Sequence, residues 1–168
     1  MEETVSKTKI FLARLVLVLT VGFVVLGVAM YGVSMSGFER IWQNLLDRPS
    51  GPMTFRFILQ PIMAAIAALI DGVKDARTGR DPYAWTILTD PTKRVGRLHE
   101  GLISTARVIL LGLCMDLIYQ FIVFDTFHPA EAVIVAGLLA FMPYLLLRGP
   151  ITRVARWWLG RKSASQIR

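Results

Sequence analysis

Four stretches of the chain run long and apolar with few charges, and each predicts a helix sized for a bilayer. The first, LVLVLTVGFVVLGVAMYGVSMSGF, lies uncharged between Arg14 and Glu39, more than the roughly 20 residues a spanning helix needs. It predicts a span over about 11–35. A cleaved leader would have a shorter apolar core and a small-x-small site, for which VAMYGVSMSG is a poor match, so an uncleaved anchor is expected. The second run, FILQPIMAAIAALI from Phe57 to Ile70, is short. It spans if Arg56 snorkels at one end and the helix continues through DGVKDART to a stop at Gly79, giving about 55–77 with a bend at Pro61. The third covers about 102–124, with Arg107 near one end and Asp116 inside. The fourth covers about 131–148, between Glu131 and Arg148, with Pro143 near its far end. Tilt and local thinning accommodate these minimal lengths.

Between the runs, helical spacing recurs in segments too polar to cross. In FERIWQNLLD the apolar Phe38, Ile41, Trp42, Leu45 and Leu46 share one face, as in a helix lying on a membrane surface. Asp90 and Pro91 read as a cap and first helical position leading toward the third span. After Gly149 and Pro150, ITRVARWWLGRK sets Ile151, Val154, Trp157 and Trp158 against alternating arginines. This predicts a separate interfacial helix anchored on anionic lipid by Arg153, Arg156, Trp157 and Trp158. The fold class expected is therefore an all-α membrane protein, one domain over residues 1–168, with four transmembrane helices and short interfacial amphipathic helices.

Composition agrees: 54% of the 168 residues are hydrophobic and 18% charged, too apolar for a soluble domain of this length. The net charge of +7 would point to nucleic acid in a soluble protein. Here Lys and Arg flank the apolar runs and report topology, so membrane lipids are the expected partners and nucleic acid is not. Lys7, Lys9 and Arg14 precede the first span; Lys74, Arg77, Arg80, Lys93, Arg94 and Arg97 follow the second; Arg148, Arg153, Arg156, Arg161, Lys162 and Arg168 follow the fourth. The other two connections hold only Arg40 and Arg48. The positive-inside rule places both termini and the middle loop in the cytoplasm.

The polar residues inside the spans are the candidate site. At about 100° per residue, Arg56, Gln60, Ala64, Ala67 and Asp71 fall on one arc of the second span. Gly112, Asp116, Tyr119 and Gln120 share an arc of the third, with Arg107 opposite and snorkelling to phosphate. Run antiparallel, the two spans bring Gln60 and Asp116 to similar depth, with Arg56 and Gln120 nearer the outer surface, so that Arg56, Gln60, Asp116, Tyr119 and Gln120 can meet as one polar cluster. A charge at mid-bilayer costs about 2.5–3.5 kcal/mol, so Asp116 is expected to face the bundle, accepting hydrogen bonds from Gln60, Tyr119 or Arg56, while Ala64 and Ala67 permit close approach. The alternatives for Asp116 are a proton- or ion-coupling carboxylate and a contact to a partner subunit. Ala136, Gly137, Ala140 and Tyr144 form a close-packing face on the fourth span.

No catalytic, cofactor or metal chemistry is expected. His99 and His128 fall on opposite sides and cannot sandwich one haem; HPAE, residues 128–131, lacks a full ligand set and reads as a loop or helix start. The single Cys114 lies in an apolar run. DARTGRDPYAW has no phosphate-binding lysine loop and reads as a cytoplasmic turn with Tyr83 and Trp85 as interface anchors.

RFILQPIMAAIAALIDGVKDARTGRDPYAWTILTDP and AVIVAGLLAFMPYLLLRGP together resemble a group of small bacterial inner-membrane proteins without assigned activity. The likeness covers about two thirds of the chain. It implies a multi-pass protein of the bacterial cytoplasmic membrane and transfers no functional residue. The expected function is a non-catalytic accessory or scaffold subunit docking on a larger membrane complex, of respiratory or photosynthetic type, or associating with itself. The alternative is a small oligomeric transporter or proton conductor using Asp116.

Overall fold

A computed structural model describes residues 6–32, 35–47, 54–123 and 126–165. Arg48, Arg168 and the predicted span ends at 33–34 and 124 lie outside them. Among the described residues six helices follow one another: α1 (Lys7–Tyr31), α2 (Met35–Asp47), α3 (Arg56–Arg77), α4 (Tyr83–Thr89), α5 (Pro91–Val123) and α6 (Pro129–Ser165). Among the described residues there is no strand. Helices α1, α3, α5 and α6 are each long and apolar enough to cross a membrane; the shortest, α3 with 22 residues, is about 33 Å long against an apolar bilayer thickness of about 30 Å.

Local chemistry sets the boundaries. At the end of α3, Gly79 adopts φ +68°, its N–H donates to Ala76 O and the Arg80 N–H reaches back to Asp75 O at 3.0 Å. This left-handed closure satisfies carbonyls that the last turn would otherwise orphan. Asp90 caps α5, its Oδ1 accepting from the Thr92 N–H at 3.0 Å and the Lys93 N–H at 3.3 Å, with Pro91 in the first helical position, as expected. Pro129 likewise opens α6.

The core is a seam of small side chains. Ala64 and Ala68 of α3, Ala106 of α5, and Ala132, Ala136 and Ala140 of α6 are fully buried. A Cβ on Gly112 would stand 3.1 Å from the Ala136 Cβ, so α5 and α6 approach nearly backbone to backbone. Helix α1 packs on α5 and α6, and its Gly27 leaves no space for a Cβ against Ala130. Only 17% of its most apolar window is buried, against 44% for α5, which makes α1 a peripheral staff.

Two sequence expectations are corrected. Helix α6 does not stop near 148 to restart as a separate interfacial helix: it runs unbroken through Pro143 and Pro150 to Ser165. An interior proline costs about 3 kcal/mol, but packing holds the axis in line, since a Cβ on Gly72 of α3 would lie 2.7 Å from Ile151 Cγ2 and 3.1 Å from Arg148 O. Tyr83 is not an interface anchor either. It opens the short helix α4 and is fully buried, while Trp85 is exposed.

Candidate functional site

Polar side chains enter the interior in two layers, one at each end of the bundle. At the end where α3 begins, Arg56 and Asp116 form an ion pair at 2.5 Å, exposed by 1% and 0%. Gln120, one turn beyond Asp116, donates from Nε2 to Asp116 Oδ2 at 2.8 Å and to His128 O at 3.0 Å, while its Oε1 accepts from the His128 N–H at 2.7 Å. Its side-chain amide thus ties the α5–α6 connection to the ion pair. The His128 ring stacks on Tyr31 of α1 at 4.7 Å, and Asn44 of α2 donates to the buried Glu131 of α6 at 3.3 Å.

The five residues expected to cluster here do so. Gln60, however, turns its Nε2 to Met115 Sδ at 3.9 Å and not to Asp116. Arg56 Nε and Nη1 and Gln60 Oε1 are buried without hydrogen-bond partners, groups that each cost about 1–3 kcal/mol to desolvate. The guanidinium is compensated in part by the faces of Phe57 and Tyr119, at 5.7 and 5.9 Å. Arg107 is exposed on the opposite side of α5.

The opposite layer was not foreseen. Asp75 of α3, fully buried, accepts from Arg148 of α6 at both oxygens, Nε to Oδ2 at 2.8 Å and Nη2 to Oδ1 at 3.1 Å. Arg97 of α5 approaches the same carboxylate at 3.3 Å. Arg148 Nη2 also donates to Glu100 at 2.6 Å, and Arg97 Nη1 donates to the other Glu100 oxygen at 3.1 Å. Two guanidinium groups are thus shared between two carboxylates. Tyr144 donates to Asp71 at 2.7 Å and accepts from Arg148 at 2.5 Å.

Tyr83 closes this layer from below. Its hydroxyl donates to Arg97 O at 2.8 Å, its ring lies 4.3 Å under the Arg148 guanidinium and edge-on to Tyr144, and the hydroxyl occupies the space where a Gly101 Cβ would stand. Burial pushes the Tyr83 phenol up to about 12. Because the folded value is raised above the ordinary 10, its stabilising contribution is complete below pH 10 and is lost as pH rises through 12. In an alkaline absorbance titration, Tyr83 is expected to ionise well above the ordinary tyrosine range and together with loss of fold, and Tyr83→Phe to reduce the amplitude of that late phase by one tyrosine.

Of the expected lipid anchors, Arg153, Trp157 and Trp158 are exposed, and Arg161 covers the Trp157 ring at 3.8 Å. Arg156 instead turns inward and donates from Nη2 to Arg80 O. Between the layers, Gln60 and Asp71 are eleven residues apart on α3, so about 16 Å of helix made of Pro, Ile, Met, Ala and Leu separates them. Among the described residues, no three of His, Cys, Asp and Glu converge to hold a metal. Compared with protein-family models, curated proteins and solved structures, the chain matches none.

Proposed function

We propose that this chain is a four-span protein of the bacterial cytoplasmic membrane, serving as a non-catalytic accessory or scaffold subunit on a larger membrane complex. The observation that carries the membrane reading is an inverted distribution of polarity. Leu17, Val18, Val21 and Val25 of α1, Ile62, Ile66 and Leu69 of α3 and Phe121 and Ile122 of α5 are exposed, while Arg56, Asp116, Asp75 and Arg148 are sealed inside. Water would favour the reverse; a hydrocarbon solvent favours this. The basic residues cluster where α1 begins, α3 meets α4 and α6 ends, which puts that end in the cytoplasm.

A docking role is supported by α1, which is attached along one flank and leaves Val18, Val21, Val25 and Leu26 uncovered. The ion pair on Asp116 and the closed apolar seam between the layers speak for a carboxylate that holds helices together and against one that passes protons. The tagged protein is expected to leave the membrane only with detergent and, in a mild one, to carry larger membrane subunits at fixed stoichiometry. A clean monomer with nothing attached counts against docking. Asp116→Asn leaves Arg56 short of its counter-charge and is expected to cost about 3 kcal/mol and to release the partner; an assembled protein that loses a proton or solute flux would favour the conducting alternative.

A further inference from the structure

Helices α1, α5 and α6 do not close on one another along their whole length. Between them runs an apolar groove of 320 Å³, lined by Val16 and Thr20 of α1, Leu98 and Leu113 of α5, and Gly137 and Phe141 of α6, among others. From Leu98 to Leu113 it extends about 22 Å, so the slot is about 7 Å wide, narrower than a helix about 10 Å across with its side chains. A second copy of the chain or a partner helix is too thick for it; a single extended hydrocarbon chain is not. Thr20 is the one polar residue among the lining positions.

One end of the groove is basic. Gly27 of α1 meets Ala130 of α6, and the two helices run in opposite directions. Eighteen residues down each, 27 to 9 and 130 to 148, bring Lys9 level with Arg148, about 27 Å below that contact. Arg148 in turn bonds Glu100 of α5, two residues from Leu98. Lys9 is exposed and stands seven residues before Val16 and eleven before Thr20, so at about 100° per residue it shares their arc of α1 and sits at the mouth of the slot.

We infer that the α1–α5–α6 groove holds one acyl chain of an anionic phospholipid, whose phosphate is held by Lys9. The chain covers apolar surface that the helices leave open, and the ammonium group selects charge at the mouth, at about fivefold. The inference rests on the membrane reading above, because only a protein of the bilayer meets such a lipid from the side.

Gly137 offers the test. A Cβ there meets nothing within 4 Å, so Gly137→Leu fills the slot without striking the fold, and alanine-like helix propensity replaces that of glycine. Gly22, whose Cβ position is also open but lies outside the groove, supplies the control Gly22→Leu. The full-length protein, extracted in mild detergent, is titrated with phosphatidylglycerol and phosphatidylcholine of equal chain length and weighed intact by native mass spectrometry. The expected result is one tightly held lipid per chain with phosphatidylglycerol preferred. That lipid is lost in Gly137→Leu and kept in Gly22→Leu, and the preference falls about fivefold in Lys9→Gln but is kept in Lys7→Gln, which lies on the opposite face of α1.

Binding that survives Gly137→Leu, equal binding of the two lipids, or no retained lipid overturns the inference, as does a lipid-free dimer that Gly137→Leu dissociates. Any of these leaves a detergent-dependent protein and the membrane reading intact. A chain that leaves the membrane fraction without detergent fails that reading instead, and this one with it.

Discussion

Asp75→Ala is expected to be among the most destabilising single substitutions in the chain, at about 3–5 kcal/mol. The carboxylate is fully buried and is the shared acceptor of Arg148 and Arg97. Deleting it leaves Arg148, exposed by 0%, with Glu100, the Tyr144 hydroxyl and Asp71 at 3.9 Å but without its buried two-oxygen acceptor, and an under-compensated buried charge costs far more than the intact pair ever contributes. The sign of that asymmetry makes a second prediction. Replacing both partners, Asp75→Leu with Arg148→Met, is expected to recover most of the loss, since two apolar chains of similar size have no charge to strand. Equilibrium unfolding in detergent of the native chain, Asp75→Ala, Asp75→Leu, Arg148→Met and the double variant checks both. If the double variant is as unstable as Asp75→Ala, Glu100 and Arg97 depend on the arginine for their own placement, and the layer behaves as one network.

The second large effect comes from one methyl group. In Gly101→Ala the new Cβ would occupy the position of the Tyr83 hydroxyl, with Tyr83 Cζ 3.1 Å away and Tyr144 Cε1 3.2 Å away. A backbone-borne Cβ inside a helix has nowhere to go, so the phenol must leave. Its bond to Arg97 O and its packing under Arg148 go with it. Overpacking together with those losses predicts about 2–4 kcal/mol. Gly96→Ala, on the same helix with nothing within 4 Å of its Cβ position, is expected to be neutral or stabilising by up to about 1 kcal/mol. Tyr83→Phe removes the atom in closest conflict, so Gly101→Ala/Tyr83→Phe is expected to cost less than the sum of its parts. Additive losses would mean that Gly101 is held by Tyr144 and not by Tyr83.

How far the sequence foretold these layers follows from what each is made of. The Arg56–Asp116 layer lies on two helices whose polar residues stand four apart in apolar surroundings, so helical geometry alone brings them to one depth. What geometry along single helices could not supply was the loop: Gln120 finds its partners on His128 only once the α5–α6 turn has closed. The Asp75 layer was hidden by the opposite cause. Arg97 and Arg148 sit in basic segments, where their value as topological markers says nothing about pairing, and Asp75 falls in the polar tail of a short apolar run.

The pattern Asp71/Asp75 against Tyr144/Arg148, both at i,i+4, was there to be matched. Their approach nevertheless depends on small residues at Gly72 and Ala68 that allow α3 and α6 to touch. Tyr83, in a segment that reads as a turn, needed the return of α4 beneath the bundle before it had anything to pack on. Pro150 misled for a physical reason as well: the rule that proline ends helices compares a helix with solvent, whereas here the alternative to continuing is to strip Ile151 from Gly72.

The unbroken course of α6 has a mechanical meaning. Its 37 residues extend about 56 Å, and the last 17, beyond Arg148, make a rigid arm of about 25 Å with the indoles of Trp157 and Trp158 about halfway along it. An arm without a joint is a lever: a sideways load on those tryptophans is not absorbed in a linker but arrives as torque at Arg148, and through Arg148 at the carboxylates of α3 and α5.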